Sequence, residues 1–166
     1  MDSLNYFSEL NIQSNAMDNI KNKIAQAIYW KDFLDQSIVS LEVSDFNNDS
    51  AIVKLINDIG NPDRLSVFRF FPNTCYKWHF DTGRNASINI VVDGFDSMCL
   101  FGDPAPGNKF VNLTALNYKP NTYYLLNVKK FHSVYNFSNL RYVVSLGITD
   151  LSYQDIVEYL KHEKLL

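Results

Sequence analysis

The chain has 166 residues, 46% of them hydrophobic and 20% charged, enough to bury the core of one soluble globular domain and too few for two comfortable ones. A formal net charge of −3, with Lys129-Lys130 as the longest basic cluster, argues against a nucleic-acid-binding surface, which would show a basic patch. No run approaches membrane-spanning length, and Met1-Asp2-Ser3 lacks the basic region and apolar run of a signal peptide, so no membrane partner and a cytoplasmic location are expected.

In chain order, residues 14–30 predict an amphipathic helix, with Met17, Ile20, Ile24, Ala27 and Ile28 as its apolar stripe and Ser14 or Asn15 as its cap. A second short helix over 50–58 would end at Gly60-Asn61-Pro62. The texture then changes to short β-branched and aromatic runs bounded by turns. Strands are predicted near 37–44, 64–71, 74–81, 85–92, 97–102, 109–117, 121–128, 131–136 and 140–149, with breaks at Pro72-Asn73, Thr82-Gly83, Asp93-Gly94, Gly102 to Gly107 and Lys119-Pro120-Asn121. Ser152 with Asp155 reads as a capping box that opens a terminal helix whose inner face is Ile156, Val157 and Leu160. Cys75 and Cys99 have no metal-ligand spacing and are expected to be buried free thiols in a reducing compartment. The sequence therefore predicts one domain, 1–166, with N-terminal helical support (about 14–60), a β core (about 64–149) and a C-terminal helix (about 152–163). Short strands in succession, with helices first and last, suggest an all-β core with flanking helices, either a sandwich or a squat barrel.

The chemistry concentrates on four residues. On a strand, side chains two apart share a face, so His79 and Asp81 would point together while Trp78 and Phe80 point the other way. Alone, a His-x-Asp is a common coincidence. His132, at the start of a predicted strand, supplies a third point. Two imidazoles and a carboxylate on one face leave half an octahedron open, the arrangement that holds non-haem Fe(II) for oxygen chemistry. The plain alternative for His132 is a core histidine bonded to a backbone carbonyl. His162, in the polar terminal helix, reads as a surface residue. Arg141 sits in an otherwise apolar strand, and a guanidinium directed into a barrel must meet an anion. Its fork suits a carboxylate, and Ser145 would face the same side with a hydroxyl. Asn89, in Ile88-Asn89-Ile90-Val91-Val92, is either a co-substrate or metal-water contact or a core amide satisfied by the backbone. Arg84, just past the turn after Asp81, would lie at the pocket mouth, against the co-substrate, an acidic substrate group or a surface carboxylate.

Taken together, these residues resemble the Fe(II)- and 2-oxoglutarate-dependent oxygenases, in particular the prolyl hydroxylase-type and aspartyl/asparaginyl β-hydroxylase-like members. The resemblance spans about residues 64–149. It rests on Phe71-Pro72-Asn73, Trp78-His79-Phe80-Asp81, Arg84 to Asn89, Pro120 leading a strand into His132-Ser133-Val134-Tyr135-Asn136, and Arg141 with Ser145. It implies a double-stranded β-helix, the cupin-like jelly roll. It also implies Fe(II) on His79, Asp81 and His132, and 2-oxoglutarate gripped by Arg141 and Ser145 with Asn89 and Arg84 as further contacts. Dioxygen would be the second co-substrate, and the outcome would be hydroxylation of a peptide, protein or small-metabolite substrate with release of succinate and CO2. Prolyl hydroxylases carry tyrosines near the positions of Phe71 and Val91, and those hydroxyls are absent here. Two rival readings remain at this point: a non-catalytic, metal-binding jelly roll acting as a binding or sensor protein, and a cupin-type Zn or Mn isomerase or hydrolase. The second would leave Arg141 without a role.

Overall fold

The computed structural model describes residues 5–33 and 36–166; Met1-Asp2-Ser3 lies outside them. In chain order the elements are β1 (Phe7–Gln13), α1 (Met17–Gln26), β2 (Lys31–Phe33), β3 (Gln36–Ser40), α2 (Ser50–Ile59), β4 (Leu65–Phe70), β5 (Thr74–His79), β6 (Ala86–Asp93), β7 (Ser97–Ala105), β8 (Lys109–Leu116), β9 (Thr122–Leu126), β10 (His132–Asn136), β11 (Arg141–Ile148) and α3 (Tyr153–His162). A seven-stranded sheet has the order β1-β9-β6-β11-β4-β3-β2, and a four-stranded sheet the order β5-β10-β7-β8. From β4 onward the chain passes repeatedly between the sheets, and among the described residues every strand pairing is antiparallel. This is the double-stranded β-helix, which the strand count alone does not specify.

The period-two alternation of the central strands divides labour between two cores. Ile88, Ile90 and Val92 of β6, with Val144, Leu146 and Ile148 of β11 and Leu65 and Val67 of β4, face the helices. There they pack with Ile20 of α1, Leu55 and Ile56 of α2, and Ile156 and Leu160 of α3. Burying each such side chain is worth about 1.5–3 kcal/mol, so this layer holds the fold. The intervening residues face the four-stranded sheet, where Val91, Val143, Tyr124, Leu126, Cys99 and Phe101 form a second, smaller cluster. Polar and charged residues also face this inner space: Ser87 and Asn89 of β6, Arg141 and Ser145 of β11.

Several expectations change. β1 and β2 were not predicted. β1 gains its stability from pairing along β9, a long-range contact that local propensity does not report. The strand predicted over 37–44 stops at Ser40. α1 is shorter than 14–30: Ala27 is extended and Ile28 is fully exposed, so the apolar stripe ends with Ile24. Its N-cap is Ala16, without a side-chain cap, and the Ser14 hydroxyl accepts the Ala16 N–H instead. The Ser152/Asp155 capping box forms as predicted. Among the described residues, no helix is long and apolar enough to cross a membrane.

Candidate metal centre and anion pocket

His79 closes β5 and His132 opens β10, and the two are cross-strand partners. Between this pair and the next, Val134 with Tyr76, β5 carries one more residue than β10. The bulge matters because regular alternation would turn His79 away from the side that Tyr76 faces. With the extra residue, both rings face the interior, 4.4 Å apart between centroids. The imidazoles of His79 and His132 lie 4.2 Å apart.

Each ring is oriented by its own backbone. Nδ1 of His79 lies 2.7 Å from the Lys77 carbonyl oxygen, and Nδ1 of His132 lies 2.9 Å from that of Lys130. A carbonyl can only accept, so each Nδ1 carries the proton and each Nε2 keeps its lone pair for the interior. Burial pushes the pKa of His132 down to about 4, and the neighbouring His79 adds to the effect. His132 is thus neutral at physiological pH, the form in which imidazole binds a metal.

Asp81 lies two residues past the end of β5, so strand alternation does not place it; its loop does. Its N–H donates to the Val128 carbonyl at 2.8 Å, and Lys129 Nζ donates to the carbonyls of Asp81 and Thr82. Asp81 Oδ1 stands 3.7 Å from His79 Nε2, while Oδ2 accepts from Arg84 Nε. Ligand atoms of His79, Asp81 and His132 all lie within 4.8 Å of one another. Arg84 also donates from Nη1 to the Ser145 hydroxyl at 2.9 Å, bridging the carboxylate to the inner face of β11.

The pocket that His79 and His132 open into runs between the sheets to Arg141. That guanidinium is only 2% exposed and lies 5.0 Å from the Phe70 ring and 5.1 Å from the Tyr118 ring. Burial lowers its pKa, and among the described residues the groups that act back on it are Tyr118 and Cys99, not a carboxylate. Arg141 Nε, Asn89 Oδ1, Ser87 Oγ and Gln36 Oε1 are buried without a hydrogen-bond partner among the described residues, and all four residues line this one pocket. Buried polar atoms are normally paired, so this concentration marks a polar site, to which the Arg141 guanidinium brings the positive charge. Apolar walls come from Phe68, Leu126, Val128, Val134 and Val143.

The structure therefore brings His79, Asp81 and His132 to one point, places Arg141, Ser145 and Asn89 on the pocket's inner wall, and sets Arg84 between the two groups. His162 is on the surface beside Glu163, as expected. Cys99 is buried, its thiol pushed up to about 12 by desolvation. Cys75 departs from expectation: it is an exposed free thiol, because β5 is an edge strand of the four-stranded sheet. Sequence reasoning missed Tyr118. It follows β8 in what reads as a turn, yet it is buried, and its hydroxyl interacts with Asn89 and Arg141. A tyrosine hydroxyl thus reaches the pocket from a different strand connection, while the Val91 position remains apolar.

No family model and no curated protein matches the sequence. Solved structures do match the fold. A prolyl hydroxylase from Trichoplax adhaerens, solved in complex with a hypoxia inducible factor oxygen degradation domain peptide fragment, is 13% identical with a TM-score of 0.60, over 93% of this chain and 89% of that one. A Pseudomonas putida prolyl-4-hydroxylase is 10% identical with a TM-score of 0.59, over 90% and 96%. HygX from Streptomyces hygroscopicus, solved with nickel and 2-oxoglutarate bound, is 10% identical with a TM-score of 0.58, over 89% and 84%. The chain has the double-stranded β-helix fold of the Fe(II)/2-oxoglutarate-dependent oxygenase superfamily.

Proposed function

We propose that the protein is an Fe(II)- and 2-oxoglutarate-dependent dioxygenase that acts as a single domain, 1–166, and hydroxylates a peptide, protein or small-metabolite substrate with release of succinate and CO2. The observation that carries this reading is one pocket with a two-histidine, one-carboxylate cluster at its mouth and, at its far end, a buried guanidinium that no carboxylate among the described residues compensates. Two imidazoles and one carboxylate are the donor set that non-haem Fe(II) takes while keeping positions open. A cupin-type hydrolase would leave Arg141 unexplained.

In this reading His79 and His132 each present Nε2, and Asp81 presents Oδ1. Arg84 holds Oδ2, so the carboxylate keeps one oxygen facing the histidines. Arg141 meets the distal carboxylate of 2-oxoglutarate, with Ser145, Asn89 and Tyr118 as neutral partners. The apolar walls exclude water from that end, which strengthens the charge-assisted contact. The bound iron would supply the activation of dioxygen, and the chain supplies position and electrostatics. Free cysteines fit a cytoplasmic setting.

The test is anaerobic titration of the protein with Fe(II) and 2-oxoglutarate, followed by air. A visible metal-to-ligand charge-transfer band and slow succinate formation, lost in His132→Ala, are expected. Iron binding without either signal, across a broad peptide and metabolite panel, would instead identify a non-catalytic metal-binding jelly roll.

A further inference from the structure

A second cleft meets the metal cluster from outside. Asn61, Asp63, Arg64, Asp81, Gly83 and Arg84 line it, and it shares His79 with the inner pocket, so it offers a substrate a place beside the centre. Two arginines share its floor, and a glycine lets them. A methyl group on Gly147 would stand 3.0 Å from Arg64 Cβ, 3.3 Å from Arg64 Cδ and 3.3 Å from Arg84 Cδ. Both stems therefore lie across one residue of β11. The Arg64 guanidinium then reaches the loop after Asp81, with Nη1 3.4 Å from the place a Gly83 Cβ would take.

The two cations differ in their partners. Arg84 is compensated by Asp81. Arg64 has no ion pair among the described residues. Asp63 lines the same cleft and is exposed, and its backbone N–H donates to Asn61 Oδ1 at 3.0 Å. Of the two guanidiniums in the cleft, Arg84 is held by a carboxylate and Arg64 is held by none among the described residues, so Arg64 is the one open to an anion from outside. Lys129, bonded to the carbonyls of Asp81 and Thr82, adds to the positive side. A cleft of one excess sign concentrates ligands of the other.

We propose that the prime substrate carries a carboxylate, which Arg64 receives beside Arg84 while the substrate's reacting carbon lies over the metal centre. This rests on the oxygenase reading given above. The planar guanidinium fork matches a carboxylate in two parallel hydrogen bonds. A free small acid and an acidic residue within a peptide both offer that group.

The experiment uses the full chain loaded with Zn(II), which is redox-silent, and saturating 2-oxoglutarate. It is titrated calorimetrically with Asp- and Glu-containing peptide pools, with the same pools bearing Asn and Gln, with phosphoserine pools, and with free amino- and hydroxy-acids against their amides. Carboxylate ligands should bind roughly tenfold or more tighter than their amides. Arg64→Gln, an exposed and foldable change, should erase most of that difference. The peptide and free-acid arms decide the source of the carboxylate. Equal binding of acids and amides, a preference undiminished in Arg64→Gln, tighter binding of the phosphoserine pools, or no binding in any arm overturns the proposal. Succinate formation with Fe(II) is scored separately. An acid preference without succinate removes the oxygenase reading and leaves the anion site, whereas succinate without the preference removes only the Arg64 assignment.

Discussion

Replacing Arg141 with methionine should leave the stability of the ligand-free protein nearly unchanged while it ceases to bind 2-oxoglutarate well. The wild-type guanidinium is 2% exposed, with Nε unpaired and no carboxylate acting on it among the described residues. Exchanging a buried ionic group for an apolar residue of similar size, relief of the orphaned donor included, gains about 1–4 kcal/mol. Methionine forfeits the contacts with the Phe70 and Tyr118 rings and the bond to the Tyr118 hydroxyl, each worth about 1 kcal/mol. The terms nearly cancel, so the urea midpoint should move little at unchanged slope. The same change removes a charge-assisted contact worth about 1.5–3 kcal/mol, so the 2-oxoglutarate dissociation constant should rise roughly 10- to 150-fold in anaerobic Fe(II) titrations. A large loss of binding at nearly constant stability is the signature of a cation waiting for a ligand. A variant destabilised by more than about 1 kcal/mol that still binds 2-oxoglutarate at wild-type affinity would refute this account of Arg141.

Asp81→Ala should abolish most Fe(II) affinity while the circular dichroism spectrum stays native, since Asp81 lies past the strand end; undiminished iron binding would contradict the cluster. Metal-free protein should lose stability as pH falls from 6.5 towards 4. The unfolded chain protonates His132 first, while burial keeps the folded imidazole neutral down to about 4. The loss should be on the order of 2–3 kcal/mol by urea titration and should shrink in His132→Leu. Tyr118→Phe should weaken 2-oxoglutarate about three- to tenfold, by removing one neutral hydroxyl, with Fe(II) affinity unchanged. Gly147→Ala should preserve the fold yet displace the Arg64 and Arg84 stems, which calorimetry would read as a reduced preference for carboxylate over amide ligands.

What the sequence made legible follows physical range. The strands from 64 to 149 appeared within a few residues because each is a short β-branched run between turns, and Asn73 and Asn121 at those turns adopt positive φ. β1 carries a period-two pattern, with Ser8, Leu10 and Ile12 buried and Glu9, Asn11 and Gln13 exposed, but only two of its buried positions are apolar, and pairing with β9 makes it a strand. His79 and Asp81 were brought together by an alternation argument that holds only in part. A bulge aims His79, and a loop held by Val128 and Lys129 delivers Asp81. Neither leaves a mark in the spacing. The inward direction of Arg141, Ser145 and Asn89 was readable from apolar neighbours on alternate positions. Tyr118 was not, because its role depends on where the chain returns between β8 and β9.

β5 is the outermost strand of its sheet, and its last residue faces the first residue of β10 across the ladder. An ion shared by His79 and His132 would therefore act as a clasp on an edge that backbone hydrogen bonds secure from one side only. Withdrawing the ion by chelation should let the end of β5 peel first, seen as faster amide exchange at Lys77 to Asp81 than along β11. Metal supply would then govern how intact this rim of the barrel is, as well as whether the centre can react.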